Sequence, residues 1–304
     1  MKSLVSQLSE NLFGFEREER AGEPFRFRII ELAFAVAALG YAWKWADYMQ
    51  RLEVVVRPLG LANYLDVSVL FGPSAYIVAV FITLGLALGF LRVFRYGYAL
   101  AFVGLLIQFA GRYSAGEIPH SSNLTGIGIM AFALAMAFFD REEFRRKLSL
   151  GVIYFMLGVT YVSAGISKLI ATGPTWPHGA HLWTWIQSRH FHDLMSVGFD
   201  QFTPVESLVL SSLPIATLCL VIGLVTELFA WLVWLRKTRT IAMLAILGLH
   251  IGIYFTMGIF FIETTILFVI MLIPFDFFYR AFTRERGEVV STSRAEQESS
   301  MVIW

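Results

Sequence analysis

Long apolar runs alternate along this chain with short breaks rich in charge, glycine or proline. A membrane crossing needs about 20 mostly apolar residues. Runs of that order occur at 27–49, 73–91, 95–112, 123–139, 150–171, 207–235, 239–258 and 260–279. The pattern predicts an all-α fold, a polytopic membrane helical bundle of about eight transmembrane helices. Gly72 and Pro73 open the second run, Asp140-Arg141-Glu142-Glu143 closes the fourth, and Arg236-Lys237-Thr238-Arg239 separates the sixth from the seventh. Pro214 lies inside the sixth and predicts a kink, because its ring removes a donor and crowds the preceding turn. The seventh and eighth runs meet in a tight connection near Gly258.

Composition agrees with the pattern. Only 15% of residues are charged and 57% are hydrophobic, against about 25% charged in soluble domains. The net charge of +1 gives no reason to expect a nucleic-acid partner. The single cysteine, Cys219, excludes an internal disulfide or a Cys-x-x-Cys pair. Residues 1–26 are polar, so they read as a cytoplasmic segment without a cleavable leader, and the first apolar run supplies the targeting signal. With that end inside, Lys2, Arg17, Arg20, Arg26, Arg28, Arg92, Arg95, Arg141, Arg145, Arg146, Lys147, Arg236, Lys237, Arg239, Arg280, Arg284, Arg286 and Arg294 all fall on the cytoplasmic side. Arg51, Arg57, Arg112 and Arg189 fall opposite. Positive charge concentrates on the cytoplasmic side of membrane proteins, so both termini are expected there. Residues 280–304, rich in Glu, Ser and Arg, read as a disordered cytoplasmic tail.

Polar residues collect towards the opposite side. The longest outer loop, about 172–206, carries Trp176, His178, His181, Trp183, Trp185, His190 and His192; His120 and Asn123 precede the fourth run. His250 lies in the outer half of the seventh run, Glu263 opens the eighth, and Glu227 lies late in the sixth. Tryptophans here fit an interfacial belt, and His190-Phe-His192 without a third ligand does not make a metal site. Lys44, with Asp47 and Tyr48 three and four residues on, reads as a paired helix-end residue, as do Arg28 and Glu31.

Lys168 is different. Gly151, Gly158 and Gly165 recur every seven residues, and Tyr161, Ala164, Gly165 and Lys168 share one helical face. Small residues on a face allow close approach of neighbours, so this lysine is expected to point into the bundle, although a lysine snorkelling from a helix end has the same sequence. Desolvation disfavours the charged ammonium, and a neutral amine can act as a general base or nucleophile. Pro174 and Pro177 then turn the chain back, which would bring Trp176 and Gly179 beside Lys168.

The segment Tyr161-x-x-Ala164-Gly165-x-x-Lys168-Leu169, followed by Trp176-x-x-Gly179, resembles the membrane domain shared by vitamin K-dependent gamma-carboxylases and their bacterial HTTM relatives. Looser likenesses are Asn123 before an apolar run, Glu227, and His250 followed by Phe255 through Phe261. The resemblance covers most of 27–279 and implies a reaction on the extracytoplasmic side of a bacterial plasma membrane. It implies a reduced quinone of the naphthoquinone type as cofactor, and no metal. Lys168 would deprotonate that hydroquinone, leading to epoxidation or carboxylation. Tyr161, Trp176, Gly179, His120, Asn123 and His250 would line the substrate site, and Glu227 would give structural support. Two departures narrow this: Leu124 stands where the carboxylases carry a histidine after the asparagine, and no large luminal domain follows the last run. The expected activity is thus that of a quinol-dependent epoxidase or carboxylase-like enzyme. The alternatives are a non-catalytic quinone- or lipid-binding membrane partner of a soluble redox protein, and a transporter. Transport is disfavoured by few acidic residues inside the runs and by the lack of an internal repeat.

Overall fold

The apolar runs fold as helices because a chain removed from water must satisfy its own N–H and C=O groups, and a helix does so within one segment. The computed structural model describes residues 3–54, 59–116, 123–198 and 201–283. Among the described residues every regular element is helical. In order they are α1 (Leu4–Leu12), α2 (Glu23–Met49), α3 (Ser74–Phe90), α4 (Gly97–Ser114), α5 (Asn123–Phe138) and α6 (Glu142–Thr172). There follow α7 (Gly179–Val197), α8 (Pro204–Ser211), α9 (Leu213–Leu228), α10 (Arg239–Met257), α11 (Ile262–Leu272) and α12 (Phe275–Thr283).

Among the described residues, two helices are long and apolar enough to cross a membrane: α6, continued through the 3-10 turn to Thr175, and α10. The pair α8–α9 bends by 108° and α11–α12 by 42°; counting each pair as one crossing gives up to four. The helix α3 and the stretch Leu124–Phe138 are apolar but shorter. The α8–α9 corner falls at Ser212, whose extended backbone (φ −147°, ψ 112°) precedes Pro214 in the first turn of α9. A proline costs least there, where its missing donor would be unpaired anyway.

The central helix is α2. Ile30, Phe34, Ala38, Ala42 and Ala46 recur every four residues and are fully buried, forming one stripe. Helices α3, α4, α5, α6 and α11 pack around it. Phe34 meets the edge of Phe132 on α5, with ring centroids 5.8 Å apart. The α3–α4 hairpin closes tightly: a methyl on Gly97 would strike the backbone of Gly89. A smaller core joins α7, α8 and α9 through Leu182, Ile186, Val209, Ala216 and Leu220. The polar N-terminal segment is built onto the bundle: α1 lies on α6, the Asn11 carbonyl accepts from Arg239 at 2.8 Å, and Glu19 pairs with Arg146 at 2.6 Å. Residues 284–304, most of the expected tail, lie outside the described residues.

Two charge expectations change. Lys44 does not pair with Asp47; its ammonium faces Glu263 of α11 at 3.9 Å, while Asp47 takes Arg51. Spacing along one helix could not show that α11 would bring a carboxylate to α2. Arg28 and Glu31 do pair, at 2.7 Å, but as part of a larger cluster. Glu31 is 1% exposed. It accepts from Arg92 at 2.6 and 3.1 Å and from the Tyr98 hydroxyl at 2.7 Å. Arg92, at the α3–α4 turn, has a φ of 59°, an unusual backbone for a non-glycine residue. Its guanidinium holds it there through Glu31, the Gly89 carbonyl and Glu142.

Breaking a buried pair costs more than breaking an exposed one, because the remaining charge stays out of water. Glu31→Gln is expected to lower stability by about 3 kcal/mol, whereas Arg28→Gln, at a side chain 46% exposed, should cost about 1 kcal/mol or less. Thermal unfolding of the two variants in the same detergent measures the difference; equal shifts would remove Glu31 from the centre of the fold.

Candidate functional site

Lys168 stands one turn before the C-terminus of α6, where Gly173 (φ 71°) and Pro174 end the helix. The 3-10 turn Gly173–Thr175 reverses the chain and delivers Trp176, and His178 caps α7. The Lys168 ammonium is ion-paired with Glu227 Oε1, on the last turn of α9. It also lies 4.9 Å from the centroid of the Trp176 ring, within cation–π range. The structure therefore brings Lys168, Glu227 and Trp176 into one site. Glu227 is 6% exposed and the Lys168 side chain 32%. One carboxylate oxygen is satisfied by the lysine; the other, Oε2, is buried without a hydrogen-bond partner among the described residues.

The glycine stripe of α6 does position this site, in a way its spacing did not indicate. A methyl on Gly151 would strike the Phe13 ring, and one on Gly158 the indole of Trp234. At Gly165 it would lie 3.2 Å from Glu227 Cβ and 3.1 Å from Leu228. Two of the three glycines make room for aromatic rings. The third lets α9 come close enough for Glu227 to reach Lys168, so Glu227 is a direct partner of the lysine and more than a packing support.

Trp176 is itself fixed. Its carbonyl is 2.7 Å from His181 Nδ1, and its ring lies 5.8 Å from that of Trp185, which stacks on His181 at 6.3 Å. Trp183 donates to the Val209 carbonyl at 2.8 Å and so ties α7 to α8. Gly179 has a different task from the one expected. Its N–H donates to Thr217 Oγ1 at 2.9 Å, and a methyl there would lie 2.6 Å from the Leu213 carbonyl oxygen. The space that glycine opens is filled by α9, which leaves none for a ligand.

Tyr161 lies seven residues before Lys168, roughly 10 Å along the helix. Its hydroxyl is hydrogen-bonded to His250 Nε2. The two rings meet edge to face at 5.8 Å, with Phe261 and Phe268 closing round the imidazole at 5.1 and 6.1 Å. His250 Nδ1 is buried and has no partner among the described residues. Tyr161 and His250 thus form a second polar pair, two turns deeper on the same face of α6. His120 lies outside the described residues, as does the side chain of Asn123, whose backbone opens α5.

The segment expected to be the longest outer loop contains a helix of 19 residues, α7. Gly179, Leu182, Ile186 and His190 are its buried positions, a spacing of three and four that the concentration of His, Trp and Pro obscured. His190 faces Glu206 at 3.3 Å and the Phe202 ring at 4.1 Å, whereas His192 is exposed. A helix turns these two histidines apart. No group of three or more His, Cys, Asp or Glu suited to a metal occurs among the described residues.

The two members of the Lys168–Glu227 pair differ in access to water, and this predicts an asymmetry. Removing the lysine strands a buried carboxylate, while removing the carboxylate leaves an amine that can still reach solvent. Lys168→Met is therefore expected to destabilise by about 3 kcal/mol and Glu227→Gln by about 1 kcal/mol, with the double variant less impaired than the sum. A double-mutant cycle on thermal unfolding in detergent measures the coupling; strictly additive losses would mean that the pair contributes nothing to folding.

No family model, curated protein or solved structure matches this chain, and the meaning of the site rests on its own geometry.

Proposed function

We propose that this is a multi-pass membrane protein of about eight crossings, with both termini cytoplasmic. In this reading it uses a reduced naphthoquinone-type quinol at an extracytoplasmic-side site, and Lys168 is the general base. The reading follows the resemblance to the HTTM and vitamin K-dependent gamma-carboxylase membrane domain. The observation that supports it best is the Lys168 ammonium held between a buried carboxylate and an indole face. Such an arrangement can take a proton from an acidic hydroxyl while an aromatic ring system lies against Trp176.

The paired carboxylate changes how the base works. A lysine ammonium cannot accept a proton, so the pair must first shift its shared proton to Glu227, leaving a neutral amine. When that amine takes the proton of a hydroquinone hydroxyl, the site becomes a lysine ammonium beside a protonated Glu227. One positive charge then faces the quinol anion in a medium of low dielectric, where the attraction is strong. With dioxygen as the oxidant, a hydroquinone gives the quinone epoxide and one water, which balances atoms and electrons. The substrate that uses the intermediate basicity, by carboxylation or otherwise, is left open by these residues.

A second reading uses the same residues without chemistry: a quinone- or lipid-binding partner of a soluble redox protein. The unpartnered Glu227 Oε2 favours it equally, as an acceptor for a ligand hydroxyl. The two readings part at one substitution. Purified protein incubated with reduced naphthoquinone and oxygen should form epoxide, and Lys168→Arg should reduce the rate by at least about 100-fold. Its melting temperature should be retained, since a guanidinium keeps the ion pair but does not give up its proton. Epoxide formation at an undiminished rate in Lys168→Arg would reject Lys168 as the base. Quinol binding without turnover in the parent protein would leave the binding reading.

The arrangement in the membrane has its own test. Asp140, whose side chain is 84% exposed, and Met195, 72% exposed, fall on opposite sides in this topology. In a Cys219→Ala background, an impermeant thiol reagent applied to intact cells should modify Met195→Cys and spare Asp140→Cys. The reverse pattern would invert the topology and place Lys168 on the cytoplasmic side.

A further inference from the structure

A cavity lies away from Lys168. It has a volume of about 360 Å³ and lies between α2, α4, α5 and α6, within the roughly 300–1,000 Å³ typical of small-molecule sites. Phe102, Leu106, Phe109, Met130 and Met156 form part of its mostly apolar wall. Leu106 and Phe109 are also 49% and 38% exposed on the outer surface of the bundle, so the cavity opens sideways. In a membrane protein that mouth faces hydrocarbon, and entry is from the bilayer.

Its wall is specific in two ways. Three rings (Tyr41, Phe102 and Phe109) and two thioethers (Met130 and Met156) line it, and these favour flat, polarisable partners over a saturated chain. Thr125 and Tyr41 also line it. They are 1% and 6% exposed, and neither hydroxyl has a hydrogen-bond partner among the described residues. Buried hydroxyls without a partner are rare, because the lost hydration is not replaced. Thr125 can turn its oxygen by a single χ1 step and rotate its hydrogen freely. At the next position Gly126 faces open space: a methyl there would meet nothing within 4 Å.

We infer that the cavity between α2, α4, α5 and α6 binds an unsaturated, apolar membrane solute carrying one carbonyl oxygen, which accepts a hydrogen bond from Thr125. The site is separate from the Lys168 pair and does not depend on the proposed quinol chemistry. Thr160 and Met156 reach it from α6, and at about 100° per residue Thr160 projects roughly a quarter-turn away from Tyr161 and Lys168.

The test uses the full chain in lipid nanodiscs and three photoreactive diazirine–alkyne probes of equal length. These are a polyprenyl methyl ketone of four isoprene units, its fully saturated ketone, and the polyprenyl hydrocarbon lacking oxygen. The polyprenyl ketone should label peptides of α4, α5 and α6 saturably and more strongly than either control. Thr125→Val should weaken ketone labelling by about threefold to tenfold, the measure of one neutral hydrogen bond, and leave hydrocarbon labelling unchanged. Its melting temperature without probe should be kept or raised, since it removes an unpaired hydroxyl. Gly126→Leu fills the empty space and replaces glycine by a better helix former; it should abolish labelling with no loss of melting temperature, and Gly126→Ala should fall between. Labelling that rises linearly with probe, is equal for all three probes, or persists in a folded Gly126→Leu variant would mean ordinary annular lipid and overturn the site.

Discussion

A carboxylate taken out of water must be given a cation or a proton, and this constraint decides how the helices of this protein meet. Three buried glutamates obey it differently. Glu31 gathers Arg92, Arg28 and Tyr98, which locks the α3–α4 turn against α2. Glu206 closes the capping box with Thr203 at the start of α8 and reaches His190 on α7. Glu227 has the Lys168 ammonium as its one polar partner among the described residues. The first two are satisfied several times over and act as joints. The third keeps one lone acceptor in an apolar surrounding, a condition that mutational evidence on proteins in general counts as costly. Costs of this kind collect at functional sites, which is why the Lys168–Glu227 contact carries the functional argument.

Much of the fold was legible because apolar periodicity survives any tertiary arrangement. The helical runs and the break at Pro214 follow from local rules that use only neighbours in the chain. What the pattern could not show is which distant residues share a low-dielectric space. Arg92 lies 61 residues from Glu31 and Glu227 lies 59 from Lys168, and no spacing rule joins residues that far apart. The stretch 172–206 was misread as loop for another reason. Its helix α7 buries a narrow face of Gly179, Leu182, Ile186 and His190, and prolines at 174 and 177 precede it, so turn signals outweighed a short apolar period. That period was present in the sequence and a count at spacings of three and four would have found it.

The candidate site shows the same division. Lys168 stands out by its place on the small-residue face of α6 and Trp176 by the proline turn that follows, both local features, and they do lie together. Gly165 was correctly placed on the lysine's face, yet its purpose, admitting Glu227, needed α9 in three dimensions. Gly179 was assigned to a ligand because glycine permits close approach, but sequence does not say what approaches. Here it is the backbone of α9.

The arrangement along α6 separates two kinds of chemistry by a quarter-turn of one helix. On one face Tyr161 meets His250 and, two turns further on, Lys168 meets Glu227; both contacts can carry a proton, and both leave one buried polar atom without a partner among the described residues. Around the helix, Met156 and Thr160 line a cavity whose wall is mostly apolar. A helix interior is stiff because each backbone group is tied to the next turn. Occupancy of the cavity would therefore reach the proton-bearing face through displacement of α6 as a body more readily than through local deformation. α6 ends at Gly173, and the 3-10 turn that follows carries Trp176. The indole over Lys168 therefore belongs to the connection between α6 and α7, where His181 and Trp185 hold it.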